Sequence, residues 1–105
     1  MRVDAAAVLA RRRREREDLL GTARQYAARL SPALGVRTVC VFGSVARGDF
    51  NLWSDIDVLV VAESLPLSPL QRLEALGEPL PLVQPVAWTP SEFAERAGRR
   101  DPIAV

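Results

Sequence analysis

Two short runs of β-branched apolar residues constrain the fold of this chain more than any other feature. The run from Val36 to Phe42 is bounded by glycines and predicts a largely buried strand, and the run from Ile56 to Val61 predicts a second strand. Between them, residues 44–47 have room for one short helical turn. The pattern therefore predicts a sheet with a Gly-Ser turn at the end of its first strand and two carboxylates at the start of its second.

Helical segments flank these strands. Residues 4–30 are rich in Ala, Arg, Glu and Leu, which predicts one long helix. Ser68 and Thr89 each precede a proline, with Gln or Glu at the third helical position, which predicts capped helices over residues 69–76 and 90–97. Apolar residues at three- and four-residue spacing predict the buried stripe of the long helix, namely Leu19, Leu20, Ala23, Tyr26, Ala27 and Leu30.

A third strand is predicted over residues 80–88, before the last of these helices. Pro81 and Pro85 cannot donate to a ladder, so this strand is expected to be an edge strand or a bulged one. Asp101-Pro102-Ile103 resembles one more helix start. The order helix, strand, short helix, strand, helix, strand, helix predicts a small α/β (α+β) domain with helices packed on one sheet.

Composition limits the chain to one ordinary globular domain over residues 1–105, with its core at 36–98. Apolar residues make up 49% of the 105, and the net charge of +1 demands neither a nucleic acid nor a membrane as partner. All 14 basic residues are Arg and there is no His, so acid–base and metal chemistry fall to Asp, Glu, Tyr or Cys40. A single Cys, no long apolar run and no signal peptide favour the cytoplasm.

A dense basic run lies near the start of the long helix. Arg11 to Arg14 and Arg16 alternate with acids at Glu15, Glu17 and Asp18. The run has two interpretations, a nucleic-acid contact or a solvated helix face with local ion pairs. The second is favoured because the neighbouring acids cancel much of the positive field.

The turn after the first strand suits a phosphate. Gly43 permits a sharp turn and has no side chain to keep a phosphate away. Ser44 is expected to cap the short helix and to reach a phosphate oxygen with its hydroxyl, beside free backbone N–H groups. Arg47, or the turn at Gly48, is expected to face the same pocket, because guanidinium binds phosphate in a bidentate way.

Asp55 and Asp57 add the carboxylates that a metal ion needs. They are two residues apart at the start of the second strand, so both are expected to project from one face. Two like charges held close favour a cation between them, and Mg²⁺ prefers one or two carboxylates plus phosphate oxygens. A Gly-Ser turn or an Asp-x-Asp alone is common, but their joint spacing is specific and predicts a site for a metal-bound nucleotide.

Residues 41–48 and 54–60 together resemble the signature of the DNA polymerase β-like nucleotidyltransferase superfamily, in its minimal nucleotidyltransferase (MNT) branch. The resemblance implies a mixed sheet, Mg²⁺ in a two-metal arrangement at Asp55 and Asp57, and transfer of a nucleoside monophosphate from a triphosphate, usually ATP. MNT proteins are often paired with a helical HEPN protein in toxin–antitoxin modules, where the MNT partner adenylylates the toxin.

The sequence departs from this family at two places. The third carboxylate of the family is expected at Gln84, which carries no charge and cannot act as a general base. Glu63, Asp49 and Glu92 are candidate substitutes, although nothing in the sequence places them at the site. Relatives also continue through a further helix after this point. This sequence stops there, as a result of natural shortening or truncation.

Three hypotheses follow. The first is an Mg²⁺-dependent nucleotidyltransferase that transfers AMP from ATP to a hydroxyl of a protein or small molecule. The second is a catalytically weakened nucleotide-binding or partner-neutralising module, motivated by Gln84. The third and weakest is nucleic-acid contact through the face formed by Arg11 to Arg16. The acceptor, the choice of triphosphate and a homo-oligomeric state stay open.

Overall fold

The computed structural model describes residues 4–48 and 55–98, with side chains up to Arg96. These residues form four α-helices and three strands in the predicted order. The elements are α1 (Ala5–Ala28), β1 (Val36–Phe42), α2 (Gly43–Arg47), β2 (Ile56–Ala62), α3 (Pro69–Leu76), β3 (Val83–Trp88) and α4 (Pro90–Gly98). The α/β arrangement agrees with the prediction, and α3 has the predicted bounds.

The three strands form one mixed sheet with β2 at its centre. β1 pairs with β2 in antiparallel fashion, and β3 pairs with β2 in parallel fashion. All positions of β2 after Asp57 are buried, because helices or side chains cover both faces of a central strand. The carboxyl end of β1 therefore meets the amino ends of β2 and β3 at one end of the sheet.

The core lies mainly on one face of the sheet, beneath α1. Alternate residues of β2 meet the buried stripe of α1 on this face. The opposite face holds a smaller cluster around Leu59, Val61 and Trp88, with Phe93 of α4 packed against it. In α1 the stripe contains the buried residues Leu19, Ala23 and Tyr26, with Leu20 and Ala27 half-buried, and Leu30 is half-buried just after the helix ends.

The prediction that β1 is largely buried is wrong. Its first three residues and Cys40 are exposed, and only its last two residues and Val39 are half-buried. The physical reason is its position, since an edge strand has a neighbour on one side only and α1 covers one face of it in part. The run of β-branched residues indicates a strand but does not say where in the sheet that strand lies.

The third strand is an edge strand, as its prolines predict, and it is shorter than expected. It begins at Val83, because residues 80–82 form a turn in which Leu82 has a φ of +69°. Pro81 therefore lies outside the strand, whereas Pro85 lies within it on the sheet edge. A proline at an edge removes no ladder hydrogen bond if its nitrogen faces outward.

The predicted N-terminal caps of α3 and α4 are present, at Ser68 and Thr89. The Glu92 amide donates to Thr89 Oγ1 at 3.2 Å, and the Thr89 amide donates to Glu92 Oε1 at 2.8 Å. This is a complete capping box, which is formed by residues close in sequence and is therefore predictable from them. Trp88 and Phe93 supply the accompanying apolar contact, with ring centroids 6.5 Å apart.

Arg72 connects α3 to β3 and α4. Its guanidinium donates to the carbonyls of Pro66 and Ala87 at 2.6 and 3.1 Å and to Glu92 Oε1 at 2.7 Å. These bonds hold the two helices on the β3 side of the sheet. The hydrogen bond from the amide of Thr89 lowers the pKa of the Glu92 carboxyl group most, and the hydrogen bond from Arg72 lowers it further.

Two remaining expectations concern the chain as a whole. The helix start at residues 101–103 lies outside the described residues. Among the helices of residues 4–48 and 55–98, none is long and apolar enough to cross a bilayer.

Candidate active site

The register of the sheet brings the predicted site residues to one place. Asp57 is the Cα partner of Phe42 on one side and of Gln84 on the other. Strands are about 4.8 Å apart and paired residues project from the same face, so Asp57 and Gln84 are direct neighbours. Position 84 is where the resemblance locates a third carboxylate, and the sheet aligns that position with Asp57.

Gly43 lies directly against the Asp57 carboxylate. A Cβ on Gly43 would overlap Asp57 Oδ2 and would come 3.2 Å from Asp57 Cγ. Gly43 also has a φ of +74°, which L side chains rarely adopt. The positive φ and the close contact both require glycine at position 43. The turn after β1 is therefore in direct contact with the carboxylate of Asp57 in β2.

Asp55 and Arg47 act on the same carboxyl group. Burial raises the pKa of Asp57, the charge of Asp55 raises it further, and the charge of Arg47 lowers it. Asp57 is half-buried within β2, whereas Asp55 precedes the strand and is exposed. The two acids therefore act on each other as like charges, and the guanidinium of Arg47 offsets part of this effect.

Ser44 has a different position from the one expected. It lies inside α2, whose N-cap is Phe42, and no side chain caps this helix. The prediction that Ser44 is the cap is wrong, because the helix begins at Gly43 and its cap is Phe42, two residues before Ser44. The Ser44 side chain is half-buried in the first turn, next to the glycine that contacts Asp57.

Arg12 and Arg16 of α1 hold the other end of α2, which sequence reasoning missed. Arg16 donates to the carbonyls of Val45 and Ala46 at 3.3 and 3.5 Å, and Arg12 donates to the carbonyl of Gly48 at 3.1 Å. Cations at a helix C-terminus stabilise its last carbonyls. The available signal is the four-residue spacing of the two arginines, which puts them on one face of α1.

These contacts refine the interpretation of the basic run. Arg12 also forms an ion pair with Glu15 at 3.5 Å, as the local ion-pair interpretation expects. Two arginines of the run therefore have roles within the domain. The nucleic-acid interpretation stays a prediction.

The candidate substitutes for the third carboxylate lie elsewhere. Glu63 follows the far end of β2, where it pairs with Arg37 at 2.7 Å. Glu92 is bound to Arg72 and to the amide of Thr89 in the α4 capping box. Asp49 is outside the described residues. Neither Glu63 nor Glu92 replaces the charge that Gln84 lacks.

The donor set suits Mg²⁺ better than a metal that needs a protein cage. In residues 4–48 and 55–98, no group of three or more His, Cys, Asp or Glu side chains is arranged to hold a metal ion. Two neighbouring carboxylates are nevertheless sufficient for Mg²⁺, which takes its other ligands from water and phosphate oxygens. Asp55 and Asp57 are the residues that fit this ion.

Fold and site together define a small α/β domain in which the Gly-Ser turn after β1 meets Asp57 of β2, with Asp55 just before that strand. The nucleotidyltransferase domain family matches residues 20–95, from α1 to α4. Because this match covers well over half of the chain, the protein belongs to the nucleotidyltransferase domain family. No curated protein and no solved structure matches the chain significantly.

Proposed function

We propose that this domain binds an Mg²⁺–nucleoside triphosphate, ATP by preference, and transfers its nucleoside monophosphate to a hydroxyl of a protein or small molecule. The observation that carries the proposal is the packing of Gly43 against Asp57, in register with Gln84. This geometry supports a site in which the phosphates lie on the turn and the carboxylates hold the metal. A helical HEPN-family protein is one candidate acceptor.

Each residue has a proposed part in the reaction. Gly43 and Ser44 form the floor and wall for the β- and γ-phosphates, and Arg47 offsets their charge. Asp55 and Asp57 would hold Mg²⁺, which would supply positive charge to stabilise the developing charge of the transferred phosphate. The acceptor oxygen forms a bond to the α-phosphorus, the bond from that phosphorus to the pyrophosphate oxygen breaks, and the acceptor's proton goes to water.

Gln84 determines how fast this reaction runs. An amide accepts a hydrogen bond but cannot take the acceptor's proton at neutral pH. Loss of a general base lowers a rate by about 10²- to 10⁴-fold. We therefore propose slow transfer with intact triphosphate binding. If transfer is absent altogether, the second candidate function is a nucleotide-binding module, which Gln84 also favours.

The test measures transfer from α-labelled ATP with Mg²⁺ and a HEPN-family protein, in wild type, Gln84→Asp and Gln84→Asn. We expect slow transfer by wild type, a rise of at least about tenfold in Gln84→Asp, and no rise in Gln84→Asn. The Asn variant is the matched control, because it has the length of Asp without its charge. No transfer by Gln84→Asp would contradict the enzyme, and calorimetry with Mg²⁺–ATP would then decide whether the binding module remains.

A further inference from the structure

The outer edge of β1 has no neighbouring strand among the described residues. β1 pairs with β2 on one side, and no third strand follows it in the sheet. From Thr38 to Phe42 the strand consists of β-forming residues and contains no proline or lysine. Natural edge strands use prolines, lysines or bulges to avoid pairing with other chains. The bulge of β1 is confined to Val36–Thr38, so the segment from Thr38 to Phe42 has none of these features.

The other edge of the sheet is protected. In β3, Pro85 has no N–H to offer, and the carbonyl of Ala87 accepts a hydrogen bond from Arg72 Nη1 at 3.1 Å. α3 and α4 also flank this strand. Because β1 offers the one unprotected edge of the sheet formed by the described residues, pairing through it joins two molecules and stops, whereas two available edges would give a continuous fibre.

A shallow apolar groove runs beside the β1 edge, with a volume of about 170 Å³. Val39 and Val41 form its strand wall, and the opposite wall comes from the second half of α1. A groove between a helix and a free strand edge is the arrangement that accepts an added strand, with side chains alternating into the groove. Its full lining is Leu20, Ala23, Arg24, Ala27, Val39 and Val41.

We propose that a second copy of this chain occupies the edge, with the two β1 strands antiparallel and Cys40 opposite Cys40. This register puts Val39 of each copy opposite Val41 of the other, on the face that carries the groove. It also pairs Thr38 with Phe42, a β-branched residue with an aromatic one, which is a favourable cross-strand pair.

Charge favours the second copy over a charged partner strand. Arg37 is the one charged residue of β1, and its guanidinium is bound to Glu63 at 2.7 Å in the same molecule. In the proposed register Arg37 faces Gly43 of the other copy, so no like charges are opposed. The result is a six-stranded sheet across a twofold axis that passes beside Cys40.

Sedimentation across a range of protein concentrations tests the dimer. We expect wild type to dimerise reversibly and Cys40→Lys to weaken dimerisation by about tenfold or more, since it sets two like-charged side chains directly opposite each other across the interface. Cys40 is exposed, so the substitution leaves the monomer core intact, which circular dichroism verifies. Gln71→Lys adds the same charge on exposed α3 and should dimerise like wild type.

A disulfide test reports the register in the unaltered protein. The chain has one Cys, so a disulfide dimer must join Cys40 to Cys40. Oxidised glutathione takes two electrons from the two thiols and leaves as two reduced molecules. Opposed strands hold the Cα atoms about 4.5–5.5 Å apart, within disulfide range, so we expect a covalent dimer. It should form about tenfold or more faster than in the Cys40→Ser, Gln71→Cys control.

Three outcomes would overturn the proposal. The first is a wild-type protein that is monomeric throughout the concentration range, even if the edge then accepts a strand from another protein. The second is a dimer that Cys40→Lys leaves unchanged. The third is a disulfide that forms no faster at Cys40 than at position 71 in the control, because random collision would explain that result.

Discussion

Replacing Gly43 by Ala tests the contact on which the site depends. The backbone φ of +74° makes any L residue unfavourable by about 1–2 kcal/mol. The new Cβ also overlaps Asp57 Oδ2, so the carboxylate must leave its rotamer, at about 0.5–1.5 kcal/mol. We expect Gly43→Ala to lower the free energy of unfolding by about 2–3 kcal/mol in urea titrations followed by circular dichroism.

Gly35→Ala is the matched control. Gly35 has a φ of +62°, but a Cβ there meets Glu63 Cβ at an ordinary 3.5 Å. It should therefore lose only the backbone contribution of about 1–2 kcal/mol, with unchanged binding of Mg²⁺ and a non-hydrolysable ATP analogue. Gly43→Ala should weaken that binding by about tenfold or more, because the carboxylate is displaced.

A double-mutant cycle separates the steric part from the backbone part. In an Asp57→Ala background the Oδ2 atom is gone, so Gly43→Ala should have the same effect as Gly35→Ala. The expected coupling between positions 43 and 57 is about 1 kcal/mol. A coupling near zero would contradict the proposed role of this contact, since it would mean that Gly43 does not touch the Asp57 carboxylate in solution.

Four further substitutions test the stability of the domain. Tyr26→Phe should stabilise the protein by about 1 kcal/mol in urea titrations, because the buried Tyr26 hydroxyl lacks a partner among the described residues. Arg72→Met should destabilise it by about 2–3 kcal/mol in the same assay, since it removes the donor to the carbonyls of Pro66 and Ala87 and one of the two donors to Glu92 Oε1. Arg37→Met, which removes an exposed ion pair, should change stability by less than about 1 kcal/mol. Asp57→Asn should stabilise the protein at pH 7 but much less at pH 3, because the pKa of Asp57 is raised in the folded state. The contribution of such a group is present below its ordinary value of 3.8 and is lost as the pH rises through the folded value, and urea titrations at both pH values measure this difference.

Each of these predictions has an outcome that would contradict it. Destabilisation by Tyr26→Phe would mean that the hydroxyl has a partner in solution. Equal losses for the two arginine variants would mean that the Arg72 bonds are no stronger than an exposed ion pair. A pH-independent gain in Asp57→Asn would mean that the carboxyl group has the same pKa in the folded and unfolded chain.

The local elements of this fold could be predicted from the sequence, and the reasons are physical. The Ser68 cap of α3 and the capping box of Thr89 and Glu92 are formed by residues close in the chain, so they predict where α3 and α4 begin. The strand bounds of β1 follow from a β-branched run between two glycines. Such signals need no knowledge of which elements are neighbours in space.

What could not be predicted depends on the order of the strands and on distant contacts. The exposure of β1 follows from its place beside β2 alone, which its own residues do not encode. Arg12 and Arg16 bind backbone carbonyls at the end of α2, about thirty residues further along the chain. Every residue has a backbone carbonyl, so the sequence gives no sign of which carbonyl an arginine will bind. The cap of α2 was mispredicted because Gly43 enters the helix despite its positive φ.

The most direct test of the site is calorimetry of a non-hydrolysable ATP analogue against wild type and Asp57→Asn, with and without Mg²⁺. We predict that one analogue binds per wild-type chain only when Mg²⁺ is present, and that the affinity of the variant is lower by about tenfold or more. Equal affinity of the two proteins, or wild-type binding that does not need Mg²⁺, would contradict it.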